Sequence, residues 1–323
     1  MVYLPFRIKK SNPLETVNTT RSHRKRFTIL TFLIAIALVA WGAFVTSINA
    51  GMAVPDWPSS FNSYDPFNPW PDWWTITPVL AEHGHRLLGA LVGLFTLALA
   101  IWTWFAEDRP WMKKVAIGAL ILVMLQGLLG GLRVVWVSID LAVIHAMVAQ
   151  LFFALLASMI VFTSSAWEKA GMDTDEDEIG SQKTFSGLRT LIYLAPAMVY
   201  VQIFLGALLR HPGTGIDPLF AGLHMAGAFL ATGIVVTYWS KISSFSATMA
   251  PVKKAAFSMT GVLTVQVLLG LFAYLVLLDE SGMVKASNVQ VIANTSHMVI
   301  GALLFATTVS TSVLCLRLRR AYR

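Results

Sequence analysis

The chain has 323 residues, of which 56% are hydrophobic and only 13% charged. Soluble domains carry about 25% charged residues, so a soluble enzyme or binding module is excluded and a polytopic membrane protein is expected. The net charge of +7 is explained below by charge placement rather than by nucleic acid, for which no motif is present. A single cysteine, Cys315, permits neither an intrachain disulfide nor a cysteine-based metal site.

Eight apolar runs fall near residues 28–50, 86–105, 112–134, 140–163, 189–210, 219–240, 255–278 and 290–316. Each is long enough for a hydrocarbon core of about 30 Å, which takes about 20 helical residues. Strands of a membrane β-barrel alternate polar and apolar residues over about ten positions, so the fold class is all-α with eight transmembrane helices. With the N-terminus inside, every basic residue except Arg86, Arg133, Arg210 and Lys285 falls on the cytoplasmic side. The positive-inside rule then puts both termini inside. The first run follows a long basic leader and lacks a small-residue cleavage site, which predicts a retained helix.

Loops divide the chain. Residues 51–84 form a long outer loop rich in tryptophan and proline, expected at the headgroup level. Residues 165–188 form an inner linker whose acidic run, Asp173 to Glu178, reads as a solvated connector. The expected organisation is a basic leader (1–27), a four-helix half (28–164), the linker, a second four-helix half (189–317) and a basic tail (318–323). The halves read as a pseudo-repeat of two four-helix bundles. Gln126 to Gly130, Gln202 to Gly206 and Gln266 to Gly270 repeat the pattern Gln-x-x-x-Gly in odd-numbered runs. A histidine near the start of the next even-numbered run follows each.

Those histidines are His145, His224 and His297; His85 occupies the same place in the second run. At about 1.5 Å per residue, the last three lie about 8–10 Å below the outer boundary, and His85 is in the same leaflet. Small residues stand one turn further on: Gly89, Ala149, Ala228 and Gly301. They leave room for a flat ring against the helix. A lone transmembrane histidine is often an interhelical hydrogen-bonding group, but ionisable side chains in a bilayer mark functional sites. Four at one depth are what two membrane-embedded haems require. Zinc is disfavoured, since no carboxylate or thiol cluster completes a tetrahedral set in the second half. His23, His83 and His211 are weaker candidates, and the three glutamines read as helix–helix hydrogen bonds.

Arg86, Arg133 and Arg210 stand at outer helix ends near the histidine level. A guanidinium there suits a haem propionate; the alternative is snorkelling to lipid headgroups. Glu82 precedes His85 by three residues, whereas Ala221 occupies that place before His224. A carboxylate in the first half alone suggests a reactive first site and an electron-carrying second one. The alternative is a helix-start Glu complementing the dipole.

Taken in order and spacing, these residues resemble the haem A synthase family. The resemblance rests on Glu82-His83-Gly84-His85-Arg86, on Gln126 to Arg133 with His145, on Gln202 to Arg210 with His224, and on Gln266 with His297. It also includes the loop Ala53-Val54-Pro55-Asp56-Trp57-Pro58 and covers residues 28 to 316. The resemblance implies an integral, multi-pass enzyme of a bacterial cell membrane, or of a mitochondrial inner membrane. Such an enzyme oxidises a methyl group of haem O by successive hydroxylation to the formyl group of haem A, for cytochrome oxidase biogenesis. It implies that His85 and His145 flank the substrate haem, that His224 and His297 ligate the iron of a resident haem b, and that Glu82 is the essential carboxylate. Implied partners are membrane lipid, the haem O-producing enzyme and cytochrome oxidase assembly factors. Some family members carry an outer-loop cysteine pair; this chain does not, so a thiol-dependent step is excluded and the electron donor is open.

The competing reading is a di-haem b electron carrier, with the same histidines and no need for Glu82. Its haems usually lie at two depths, against the single depth expected here. A repeat-built transporter would break helices at midplane, and no paired Gly/Pro interruption is present. A prenyltransferase would need an Asp-rich diphosphate motif, which the acidic linker does not provide.

Overall fold

The computed structural model describes residues 13–70, 72–169, 178–209, 218–245, 249–276 and 287–321, with no β-strand among them. The helices are α1 (Pro13–Ser47), α2 (Asp72–Thr75), α3 (Thr77–Ala106), α4 (Pro110–Val135), α5 (Ile139–Phe162), α6 (Ser165–Lys169), α7 (Glu178–Leu208), α8 (Pro218–Ser243), α9 (Ala250–Leu275) and α10 (Asn288–Ala321). Eight are long and apolar enough to cross a membrane; α2 and α6 are short connectors. Local sequence explains several boundaries. Proline sits in the first turn of α3, α4 and α9, where its missing N–H has no helical partner to lose. Ser138 caps α5 by accepting from the Leu141 amide at 3.2 Å, relieving one orphan donor.

One boundary differs from expectation. The second span begins at Thr77 rather than near residue 86, so Glu82 and His83 are helical. Hydropathy alone ends the helix where polar residues begin. Here those residues are satisfied internally, by an i,i+4 pair between Glu82 and Arg86 and by bonds to the 51–70 loop.

Neighbouring helices pack in chain order within each half, α1–α3–α4–α5 and α7–α8–α9–α10. The last span of each half, α5 and α10, pack on each other at the centre, and each also touches α1 and α7. The two apolar cores interlock there. Ala302 and Ala306 of α10 join the core of the first half, and Ala154 of α5 joins that of the second. Large apolar side chains such as Leu94, Phe105, Phe229 and Leu268 face outward, the arrangement hydrocarbon solvates.

Polar clusters fasten the ends. Near the start of the α1 span, buried Arg24 pairs with Glu107 at 2.6 Å; Arg109 pairs with the same carboxylate at 2.8 Å and donates to the Phe162 carbonyl at 3.0 Å. Burial alone would raise the Glu107 pKa, but bonds from the Arg109 side chain and amide and the charge of Arg24 win, holding it at about 2. One carboxylate thus ties α1, the α3–α4 turn and the end of α5. In the second half, the buried Tyr238 hydroxyl donates to Cys315 Sγ at 3.3 Å and lies 3.3 Å from Ser312 Oγ.

Candidate functional site

All four histidines sit in notches, each formed by a glycine on the preceding span. A Cβ built on Gly42, Gly206 or Gly270 would lie 2.9 Å from Cε1 of His85, His224 or His297, and one on Gly130 would lie 3.1 Å from Cε1 of His145. Carbon atoms prefer about 3.5–4.0 Å, so each ring stands where only hydrogen fits. The sequence repeat contained three of these glycines without revealing their task. Gly42 stands outside the Gln-x-x-x-Gly pattern, because Leu38 holds the place that glutamine holds elsewhere.

His224 and His297 face each other with ring centroids 6.4 Å apart and planes at 80°. Two imidazole–metal bonds of about 2.0 Å plus two ring radii of about 1.1 Å give about 6.2 Å across one metal, so the separation of this pair fits two imidazoles on one haem iron. Gln202 Nε2 lies 3.0 Å from His224 Nδ1 and donates to the His224 carbonyl at 2.7 Å. Gln266 Nε2 lies 3.2 Å from His297 Nε2, and its amide lies over Gly301. The glutamines therefore contact the imidazoles across a helix boundary, a sharper role than general helix–helix bonding.

His85 of α3 rests against Gly42 and His145 of α5 against Gly130. The Nδ1 atoms of both are buried without a protein hydrogen-bond partner, as expected of a site shaped for something further. A Cβ on Gly89, one turn below His85, would meet nothing within 4 Å. The neighbouring Gln126 Nε2 is also buried and unpartnered.

Glu82 is 3% exposed. One carboxylate oxygen accepts from Arg86 Nη2 at 2.9 Å and the other from the Val54 amide at 2.9 Å. Arg86 also donates to the carbonyls of Val54, Asp56 and Ser59 at 2.9, 2.7 and 3.2 Å. Arg133 donates to the Gly51 carbonyl at 2.6 Å, and the Trp57 ring occupies the space a side chain at Gly131 would need. Arg86 and Arg133 thus hold the outer loop beside the first histidine pair. Arg210, with His211, Lys285 and the Asp173–Asp177 run, lies outside the described residues.

The loop has its own order. Asp56 accepts from Ser59 and from the amides of Phe61 and Asn62. Burial would raise its pKa, but these bonds outweigh it and hold the carboxyl below its ordinary value. His83 is buried; its Nε2 bonds the Pro66 carbonyl at 2.8 Å, its Nδ1 lies 3.3 Å from Ser60 Oγ, and its ring meets Trp73 at 5.1 Å. It serves the loop rather than the histidine pairs. Among the described residues, no group of three or more His, Cys, Asp or Glu is placed to hold a metal ion.

Comparison with known proteins adds a second line of evidence. A family model described as cytochrome oxidase assembly protein (COX15-CtaA) matches residues 74–222. A haem A synthase of Symbiobacterium thermophilum is 30% identical over 229 residues, covering 64% of this chain and 71% of its own. Haem A synthases of Exiguobacterium sibiricum and Shouchella clausii are 29% and 30% identical over 186 and 190 residues. These alignments span 58% and 59% of those relatives' lengths.

Proposed function

The chain belongs to the haem A synthase family, and from that premise we propose that it is a membrane oxidoreductase converting haem O to haem A. It oxidises one porphyrin methyl to a formyl group by successive hydroxylation, for cytochrome oxidase biogenesis. The observation that carries this reading is the pair of histidine pairs, each imidazole seated in a glycine notch, with the buried carboxylate of Glu82 one turn from His85.

In this reading His224 and His297 hold a resident haem b, and their 6.4 Å ring separation supports it. Haem b supplies one-electron transfer there when bound. Gln202 and Gln266 contact the two imidazoles through their amide nitrogens and so bear on the placement of both rings. Substrate haem O lies between His85 and His145, whose buried Nδ1 atoms have no competing partner.

Glu82 is the proposed catalytic carboxylate, with its negative charge held by Arg86 and the Val54 amide. It either stabilises positive charge that develops as the oxidant withdraws electrons from the substrate methyl, or accepts the methyl-derived proton at Oε1 or Oε2. The loop over the site keeps water out, which strengthens that electrostatic effect. Arg86 and Arg133, and Arg210 in the second half, are the proposed propionate contacts; the first two must exchange a loop carbonyl for a carboxylate. Partners in this reading are membrane lipid, the enzyme that delivers haem O and the assembly factors that receive haem A, in a bacterial cell membrane.

Haem extraction and chromatography of the purified protein test the proposal. Haem B together with haem O, its hydroxylated form or haem A is the expected result. Haem B alone, at two per chain, would identify a di-haem electron carrier instead. The Glu82→Ala variant should retain haem b in the second half and form no haem A; full conversion by that variant would remove Glu82 from the catalytic role.

A further inference from the structure

The four notches compare ring by ring. From a Cβ built on the notch glycine, the imidazole Nδ1 lies at 3.4 Å for His85, His224 and His297 and at 3.5 Å for His145. Nε2 lies at 3.6, 3.7, 3.8 and 3.9 Å for His85, His224, His297 and His145. Each ring therefore presents the same edge to the span before it. The residue one turn before the notch glycine stands in the same relation to all four. That residue is Gln126, Gln202 or Gln266 in three cases and Leu38 in the fourth, at His85.

The difference matters because a ligand imidazole is held by its second nitrogen as well as by the metal. A hydrogen bond there fixes the ring and raises its basicity. A side-chain amide carries both donor and acceptor, so it serves that nitrogen in either tautomer. Gln202 and Gln266 set their nitrogens against His224 and His297, and their buried oxygens are unspent. Gln126 Nε2, buried one turn from the His145 notch, is unspent too. Leu38 offers only hydrocarbon and packs against the core of the first half, while His85 Nδ1 is buried without a partner. A second observation concerns direction. Glu82 stands three residues before His85 on α3 and shares its helical face, whereas His145 belongs to α5.

Resting on the synthase reading, in which His85 and His145 flank haem O, we propose that His85 is the imidazole that leaves the iron during turnover. Leu38 is the positioning residue that leaves it free to do so. An iron with an imidazole on each face has no open position for an oxidant. In this step the bond from iron to the His85 nitrogen breaks and the nitrogen keeps its electron pair. No electron or proton changes hands, and the bond to His145 stays. The position vacated lies on the α3 side, where Glu82 is; loss of His145 would open the other face, away from the carboxylate. One histidine of the pair is thus an anchor and the other a gate. The resident pair, with an amide at both notches, has two anchors.

The test uses the full chain in lipid nanodiscs, with haem b resident and haem O added to the first site. Reduced protein is mixed with carbon monoxide, which binds where an axial position opens; protein carrying haem b alone sets the baseline. Wild type should take up carbon monoxide above that baseline. Leu38→Gln, which supplies the missing amide, should slow uptake at least about tenfold, the scale of an outer-shell partner at a metal site, and retain a bis-imidazole spectrum. Leu38→Met, apolar and of similar size, should behave as wild type. His85→Ala should keep haem O in five-coordinate form, and His145→Ala should release it at least about tenfold more readily. Haem O-loaded wild type with no uptake above baseline would overturn the proposal. So would Leu38→Gln matching wild type or Leu38→Met, or haem O leaving His85→Ala as readily as His145→Ala. Should Leu38→Gln fail to fold, the two histidine variants decide. Wild-type protein that binds no haem O would instead sink the synthase reading.

Discussion

A methyl group at Gly206 or Gly270 would lie 2.9 Å from a ring carbon of His224 or His297. Neither ring can move without changing the separation of the pair. Gly206→Ala and Gly270→Ala should therefore insert normally and lose at least about tenfold in haem b retention, the scale of lost outer-shell support at metal sites. Haem-to-protein ratio by absorbance measures this, and full occupancy in both variants would show that the notches are incidental. Glu82 is a subtler case because each oxygen has its own partner. Glu82→Gln can still accept from the Val54 amide but loses the charge pairing with Arg86. If charge is what the site uses, Glu82→Gln should be as inactive as Glu82→Ala while its loop resists protease as well as wild type. The histidines were legible in the sequence because imidazole in a bilayer is costly. The glycines were visible as a repeat but silent as to purpose, since a missing Cβ shows its value only against the neighbour that fills the space.

Among elements, the eight spans were legible from hydrophobic length, and seven of them lie close to the expected positions. The start of α3 was not, because polar residues satisfied by a loop look, in sequence, like the loop itself. Sequence could mark residues 51–84 as a loop rich in tryptophan and proline but could not foresee that Arg86 and Arg133 would grip its carbonyls. At the opposite end, Glu107 joins three helices. Its folded pKa of about 2 lies below the ordinary 4.5, so deprotonation favours the folded state. The stabilisation is complete above about pH 4.5 and is lost as pH falls from there towards 2. Thermal melts in detergent should show the wild type losing its advantage over Glu107→Gln across that window. A constant difference between the two would mean that the Arg24–Glu107–Arg109 cluster does not couple to folding.

For the molecule as a whole, α5 and α10 form a shared centre, and the cores of the two halves exchange alanines across it. The halves should accordingly unfold together. Cys315, fully buried on α10, reports this event. It should resist a maleimide until the melting transition and then react in a single phase coincident with loss of helicity. Early labelling, while the first half remains helical, would show that the halves are separable. The contact between α5 and α10 was not legible in the sequence, because alanines at a helix crossing resemble alanines anywhere in a lipid-facing span.

The glycine notches also bear on how this architecture can be rebuilt. Each imidazole has an address in two parts, one residue on an even-numbered span and one vacancy on the span before it. A histidine moved by a turn along α8 would face the backbone of α7 without an opening to enter. Transplanting such a site into another bundle thus requires moving both halves of the address, and a scaffold chosen for its histidine positions alone will crowd them out.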